Sequence, residues 1–312
     1  MHSIVIVNWN SGRLLSDCLA PLLEDQRPAR GAEVVVVDNA STDGSLELIV
    51  NAKDSDVTVL RNVANRGFAA ACNQGARSCS GEYILFLNPD VRVDNKTVEQ
   101  AREFLENGRA AGIGIVGIRL VNSNGSVQRS CTRFPTPRRV LGQSLGLDRV
   151  LPSLFPPHFM LEWDHGQTRD VDQVMGAFLM MSKAVFEKLG GFDERFFVYF
   201  EDVDLCLRAR AEGYRVVHFA KVSAVHEGQG TTRNIKDVRL FYLLRSRLLY
   251  AKKHFSHGGF ALVLLATLIF EPLSRVLGLS VVGKWGDVTA VVGGYRLLLA
   301  SLPCLLFNRK CK

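Results

Sequence analysis

The sequence predicts an α/β fold built on a mostly parallel, doubly wound sheet, followed by a helical, membrane-associating C-terminal segment. Three observations lead there. Strand-length apolar runs alternate with helical spacing over the first 120 residues, polar clusters recur at the carboxyl ends of those runs, and the basic excess is confined to the last quarter of the chain.

The elements follow in order. Residues 4–7 form a β-branched strand and 14–23 have helical spacing. Residues 33–38, Glu-Val-Val-Val-Val-Asp, suit a strand covered on both faces. A helix is expected over 45–52, a strand over 57–60, an alanine-rich helix over 67–76, and a buried strand over 83–87. A helix over 97–105 and a strand over 113–118 complete this half. Such alternation implies right-handed crossovers, and ligands in such folds bind beyond the carboxyl ends of the strands. Residues 133–170 are rich in Pro and Arg without a clean period and read as a loop or lid over the site. A second structured block spans about 174–225, with a strand at 216–219.

Composition bounds the function. The 312 residues are 47% hydrophobic, enough for a sizeable core. Seven cysteines with no C-x-x-C pair favour reduced thiols in a cytosol-like compartment, and no secretory leader is expected at the N-terminus. From residue 236 onward there are 12 Lys/Arg against 3 Asp/Glu, a balance of +9, while residues 1–235 carry 26 against 28, or −2. That distribution argues against nucleic acid as a partner and for a membrane surface met by 236–312. Val238, Phe241, Leu244, Leu248 and Leu249 share a helical stripe interleaved with basic residues. The uncharged stretch 255–270 is cut by Glu271-Pro272, and 297–308 is short and holds Pro303, so interfacial or re-entrant attachment is expected rather than a full span. A buried helical hairpin or a partner-binding surface is the alternative.

Six clusters carry chemistry. Asn8-Trp9-Asn10 follows the first strand; Trp9 suits a nucleobase, although Asn at a strand end also makes turns and caps. Asp38-Asn39 follows the second strand, where a carboxylate accepts hydrogen bonds from a ribose or base, with Asp43 as a second acceptor or an N-cap. Asn65-Arg66-Gly67-Phe68 opens a helix whose N-terminus favours phosphate, or serves helix–sheet packing alone. Asn88-Pro89-Asp90 places a carboxylate at the sheet edge, and a divalent ion bridging a diphosphate takes one or two such groups. Glu201-Asp202-Val203-Asp204 starts a helix: acidic residues there stabilise its dipole, yet Asp202 beside the aromatic run 196–200 also suits a general base. His226, before glycines at the end of the last core segment, points to metal or diphosphate contact as well as to a structural role.

Taken in order, Asn8-Trp9-Asn10, Asp38-Asn39-Ala40-Ser41-Thr42-Asp43-Gly44, Asn65-Arg66-Gly67-Phe68 with Asn73, Leu87-Asn88-Pro89-Asp90, Gly176-Ala177-Phe178, Gly190-Gly191-Phe192-Asp193 and Glu201-Asp202-Val203-Asp204 resemble the family 2 glycosyltransferases of GT-A fold, the bacterial rhamnosyltransferase-like branch above all. The match covers about residues 3–230. The resemblance implies a GT-A catalytic domain at 1–233, split into a nucleotide-sugar-binding half at 1–120 and an acceptor and catalytic half at 121–233, followed by the helical region 234–312. It implies donor binding by Asn8, Trp9, Asn10, Asp38, Asn39, Arg66, Gly67, Phe68, Asn73, Asn88 and Asp90, and acceptor binding by Gly176, Tyr199 and Glu201. Asp202 matches the catalytic base, and Asp90 and His226 the ligands of Mg²⁺ or Mn²⁺. Asn88 departs from the first carboxylate of the family's D-x-D motif. The implied reaction is inverting transfer from a nucleotide-diphosphate sugar, dTDP-rhamnose foremost with UDP- and GDP-sugars as alternatives, to a lipid-linked saccharide. The expected place is the cytoplasmic face of the bacterial inner membrane, in O-antigen or related polysaccharide assembly; a homo-oligomer is compatible. Among rivals, a dehydrogenase lacks G-x-G-x-x-G after strand one, a nucleotidyltransferase lacks a basic signature loop there, and a non-catalytic membrane-tethered adaptor is supported by Asn88 alone.

Overall fold

The computed structural model describes residues 1–23, 32–50, 57–228 and 235–307. The end of the expected 45–52 helix, the Gln229-Gly230 tail of the histidine motif and the last basic residues lie outside these. Among the described residues eleven strands run β1 (His2–Asn8), β2 (Ala32–Asp38), β3 (Val57–Arg61), β4 (Tyr83–Leu87), β5 (Val91–Arg92), β6 (Ile113–Val121), β7 (Cys131–Thr132), β8 (Arg169–Asp170), β9 (Gln173–Val174), β10 (Phe178–Ser182) and β11 (Arg215–His226). Nine form one sheet in the order β3-β2-β1-β4-β10-β6-β11-β5, with β8 also on β11; β7 and β9 pair separately.

The strands β3, β2, β1 and β4 are mutually parallel, as are β6 and β11, while β10 runs antiparallel between β4 and β6. Period-2 alternation makes the sheet doubly wound: Ile4, Ile6, Val34, Val36, Leu85 and Leu87 face one core with Leu15, Leu19, Val98 and Ala101. Val5, Val7, Val35, Val37, Ile84 and Phe86 face the other with Ala69, Ala71, Leu205 and Ala209. The expected helices form as Arg13–Leu23, Phe68–Ser78, Asn95–Asn107 and Glu201–Ala211. Asp94 caps the third by accepting from the Thr97 N–H at 2.7 Å.

Two compact units result. One comprises Met1–Phe134, Phe159–Phe197 and Glu201–Thr231, the other Pro135–His158, Val198–Phe200 and Thr232–Lys312. The expected lid loop 133–170 is therefore corrected: it contains the helices Pro137–Ser144 and Leu147–Val150, and its middle belongs to the second unit. Thr136 accepts from the Arg139 N–H and Pro137 takes the first turn, where its missing N–H has no helical partner to lose.

The C-terminal helices are also longer than expected. Lys236–His254 forms the amphipathic helix, burying Leu244 and Leu248. Residues 257–281 are helical throughout as His257–Leu265, a π-helical stretch Ala266–Phe270 and Glu271–Val281. Pro272 does not end the run, because the π turn before it resets the hydrogen-bond ladder and Pro272 falls in the first turn of the next segment. Pro303 sits inside Trp285–Phe307. By length and composition both runs could cross a membrane, so the helices extend beyond the uncharged stretches 255–270 and 297–308.

Candidate active site

Strand register assembles the donor side of the site. Asn8, the last residue of β1, pairs with Asp38, the last of β2, which pairs with Arg61 of β3. Asn8 is fully buried, and its Nδ2 donates to Asp38 Oδ1 (2.8 Å), Ser45 Oγ (2.9 Å) and Ser41 Oγ (3.1 Å). Asn8 thus orients the Asp38 carboxylate and presents no surface to a ligand. Asn10 has φ +51° and accepts from the Thr42 N–H at 2.8 Å, tying the first two strand ends together. Trp9 beside it is half-exposed. Asp43 accepts from the Gly12 N–H and from Ser45, so it braces loops rather than capping the next helix.

Asn39 Nδ2 donates to the Gly67 carbonyl at 3.1 Å, linking the second strand end to the phosphate-loop candidate. Gly67 has φ +85°, and a Cβ there would stand 2.5 Å from the Phe197 carbonyl oxygen. The same oxygen accepts from the Phe68 N–H at 2.6 Å. Glycine is therefore required for close packing onto residue 197, and Arg66 beside it is exposed. Asn73 is corrected. Its Nδ2 donates to the Phe192 carbonyl and Glu194, and its Oδ1 accepts from the Phe192 N–H, so the buried amide ties its helix to the segment 192–194 and uses both N–H bonds within the protein.

The acidic edge is built across β4 and β10. Because β10 is antiparallel, its first residues lie beside the last of β4: the Asn88 N–H donates to the Ala177 carbonyl at 3.0 Å. Gly176, one residue earlier, donates its N–H to Asp202 Oδ2 at 2.9 Å. One strand start thus bonds both to Asn88, two residues before Asp90, and to Asp202 in the first turn of its helix. A Cβ on Gly176 would come within 3.4 Å of Asp202 Oδ2.

Asp202 Oδ2 also accepts from Gln173 Nε2 at 2.9 Å, and Oδ1 from the Val203 N–H at 2.8 Å. Burial pushes the Asp202 carboxyl above the ordinary carboxylate range, while these hydrogen bonds pull against that rise. Glu201 is buried, its Oε2 has no hydrogen-bond partner among the described residues, and burial, then the neighbouring Asp202 charge, pushes its carboxyl well upward. A group in that state faces the interior, which does not suit the acceptor contact expected of it. Tyr199, with φ +68°, belongs to the second unit.

His226 ends β11 beside β5, where it pairs with Val91, and its Nε2 lies 3.5 Å from Asp90 Oδ1. Both side chains are buried, and among the described residues Asp90 Oδ1 has no hydrogen-bond partner. Gln128 sets the tautomer. Its Nε2 donates to the His226 carbonyl (2.6 Å) and Asn122 Oδ1 (2.7 Å), so its Oε1 must accept from His226 Nδ1 (2.7 Å). The lone pair of His226 is then on Nε2, facing Asp90. An orphaned carboxylate oxygen opposite an imidazole lone pair fits a divalent cation. Among the described residues there is no group of three or more protein ligands, so phosphate oxygens and water would complete a shell.

Gln128 and Gln173 were not expected. Gln173 Oε1 accepts from the Thr132 hydroxyl across the β7–β9 pair, and its Nε2 also donates to the Val174 carbonyl. Both glutamines act over long sequence separations and carry no local signature.

A model of the family described as glycosyl transferase family 2 matches residues 3–190. The chain belongs to glycosyltransferase family 2. A second model, described as the N-terminal domain of galactosyltransferase, matches residues 157–229. This glycosyltransferase is 30% identical to a low-salt glycan biosynthesis hexosyltransferase of Haloferax volcanii over 259 residues, 81% of this chain and 76% of that one. It is 28% identical to the N-acetylglucosaminyl-diphospho-decaprenol L-rhamnosyltransferase of Mycobacterium tuberculosis over 246 residues, 73% of this chain and 76% of that one. Its fold is similar to that of a mannosyltransferase from Pyrobaculum calidifontis in complex with GDP-Man and Mn²⁺, with a TM-score of 0.56 at 18% identity, covering 99% of this chain and 88% of that one. The GT-A fold and the transferase class thus agree with the sequence reading.

Proposed function

We propose that this glycosyltransferase inverts the anomeric centre as it moves rhamnose from dTDP-rhamnose to a lipid-linked saccharide, at the cytoplasmic face of the bacterial inner membrane. The observation that carries the chemistry is the start of β10, where Gly176 bonds to Asp202 and Ala177 to Asn88, two residues before the Asp90 that faces His226.

Asp202 acts as the base. Its Oδ2 already accepts from two N–H groups, whereas Oδ1 accepts from one, so Oδ1 takes the proton of the acceptor hydroxyl as that oxygen attacks the anomeric carbon. A carboxyl raised by burial is a better base at neutral pH than an exposed one, and such assistance is worth about 10²–10⁴-fold. Asp38, held by Asn8, binds the nucleoside, and the loop at Arg66-Gly67 meets the diphosphate. Asp90 Oδ1 and His226 Nε2 would hold Mg²⁺ or Mn²⁺, which offsets charge on a departing diphosphate. Donor and acceptor follow the rhamnosyltransferase relatives, and the basic, apolar region 236–312 suits a membrane-borne acceptor.

A thermal-shift screen of the full chain with Mn²⁺ against dTDP-, UDP- and GDP-sugars, followed by analysis of transfer products, tests this reading. The largest stabilisation and turnover are expected with dTDP-rhamnose. Preference for a UDP- or GDP-sugar would replace the donor. Stabilisation by a nucleotide sugar without any turnover would favour the adaptor reading, to which retained Asp90, Asp202 and His226 are opposed.

A further inference from the structure

Both C-terminal helical runs of bilayer length are lined on one side by charged elements of their own unit. In the run 257–281, the inward face begins at Gly259, where an added Cβ would meet Pro137 at 3.0 Å. Val263 joins a core with Val140, and Thr267 and Glu271 both accept from Arg247. Ser274 then donates to the Ser144 carbonyl at 2.7 Å. The opposite face, two residues and so about 200° round, is Leu265, Ile269, Leu273, Leu277 and Val281, which are 43%, 48%, 59%, 66% and 86% exposed.

The run Trp285–Phe307 lies alongside Lys236–His254 in the same direction. Lys236 pairs with Asp287 at 2.7 Å at one end, and Lys252 donates to the Leu305 and Leu306 carbonyls at 2.7 and 3.1 Å at the other. From 287 to 305 is about 27 Å of helix at 1.5 Å per residue, against about 30 Å for a hydrocarbon core. Over that whole length the neighbouring helix carries Lys236, Asp237, Arg239, Arg245, Arg247, Lys252 and Lys253. A spanning Trp285–Phe307 would draw those groups into hydrocarbon, and a spanning 257–281 would draw in Glu271, Arg247 and the arginine-bearing helix Pro137–Ser144. Ionised side chains are costly there.

Residues 236–307 hold 9 Lys/Arg against 3 Asp/Glu, a balance of +6, and the turn between the runs exposes Lys284 beside Trp285. A net basic region that carries an exposed apolar ridge and an exposed Trp285 matches an anionic bilayer surface. We infer that the hairpin 257–307 lies flat in the headgroup region of an anionic membrane, with the Leu265–Ile269–Leu273–Leu277–Val281 ridge against the acyl chains, and does not span it. This rests on the membrane attachment proposed above and adds its geometry.

The test uses the full chain in sealed membrane vesicles of both orientations, with Lys284→Cys and Lys221→Cys probed by an impermeant maleimide. Both lysine variants are made in a Cys304→Ser/Cys311→Ser background, which alone is the blank, since Cys304 is only partly buried while Cys18, Cys72, Cys79, Cys131 and Cys206 are buried. Lys221 is an exposed residue of the sheet-bearing unit. A flat hairpin gives labelling of both positions from the same side. Labelling of Lys284→Cys only from the opposite side means a span and overturns the inference while leaving membrane attachment intact. Separately, Ile269→Asp with Leu273→Asp should weaken sedimentation with phosphatidylcholine/phosphatidylglycerol vesicles about tenfold or more. Equal sedimentation of that variant overturns the ridge assignment, as does a wild-type dimer in solution that the variant converts to monomer, which would give the ridge to a second copy. Wild-type protein that ignores such vesicles removes the attachment itself.

Discussion

Replacing Gln173 with Leu removes one of three hydrogen bonds to Asp202 and leaves the Gly176 and Val203 N–H groups in place. Hydrogen bonds to charged groups contribute about 1.5–3 kcal/mol, and one pKa unit corresponds to about 1.4 kcal/mol. Asp202 is partly exposed, so the lower end applies, and loss of the bond should push its already raised carboxyl further up. The base must be ionised to work, so the acid limb of the kcat/KM profile should move up by about one pH unit. On that limb the variant would lose about tenfold in rate, with recovery toward wild type at alkaline pH. The substitution also unpairs the Thr132 hydroxyl and the Val174 carbonyl, so a urea melt is needed beside the kinetics. Thr132→Val, which frees Gln173 Oε1 without removing the bond to Asp202, should give a smaller shift of the same sign. A Gln173→Leu enzyme slowed equally at every pH, with its acid limb unmoved, would refute the reasoning.

Gln128→Leu removes the acceptor that holds the His226 proton on Nδ1, and Mn²⁺ affinity in the presence of a nucleoside diphosphate should fall about 10–100-fold by titration calorimetry; unchanged affinity would exclude the tautomer role. Gly67→Ala forces a Cβ against the Phe197 carbonyl at a backbone conformation, φ +85° and ψ 165°, that is essentially glycine-only, and should cost at least about 1–3 kcal/mol by chemical denaturation. His218, fully buried against His165 and Cys131, is lowered by burial to about 4 from 6.5. The unfolded chain therefore takes up a proton first, and stability is full above about pH 6.5 and is lost as pH falls toward 4. Between pH 6.5 and 5 this site should remove about 2 kcal/mol, and His218→Gln should flatten that slope in urea melts; an unaltered slope would assign it elsewhere.

Much of this was legible in the sequence because it depends on short-range pattern. Period-2 apolar runs place Asn8, Asp38 and Asp90 at strand ends, and parallel pairing of β1 with β2 then sets Asn8 beside Asp38 without further information. What was not legible depends on distant partners. Asn73 looks like a ligand residue in its motif, yet it is tied to Phe192, 119 residues away. Gln128 reaches His226 across 98 residues, and Gln173 reaches Asp202 across 29. The antiparallel course of β10, which brings Gly176 to Asp202, is a topological fact that residues 178–182 do not encode on their own. Composition misled twice: Pro137 starts a helix instead of marking a loop, and Pro272 is absorbed by a π turn instead of ending the run.

Asp202→Asn compared with wild type, in parallel assays of donor binding and transfer with Mn²⁺ present, tests the assignment of the base most directly. The amide keeps the shape of the side chain and loses the ability to take a proton, so donor affinity should stay within about threefold while transfer falls by about 10²–10⁴. Transfer at the wild-type rate by that variant would contradict the assignment of Asp202 and the mechanism built on it.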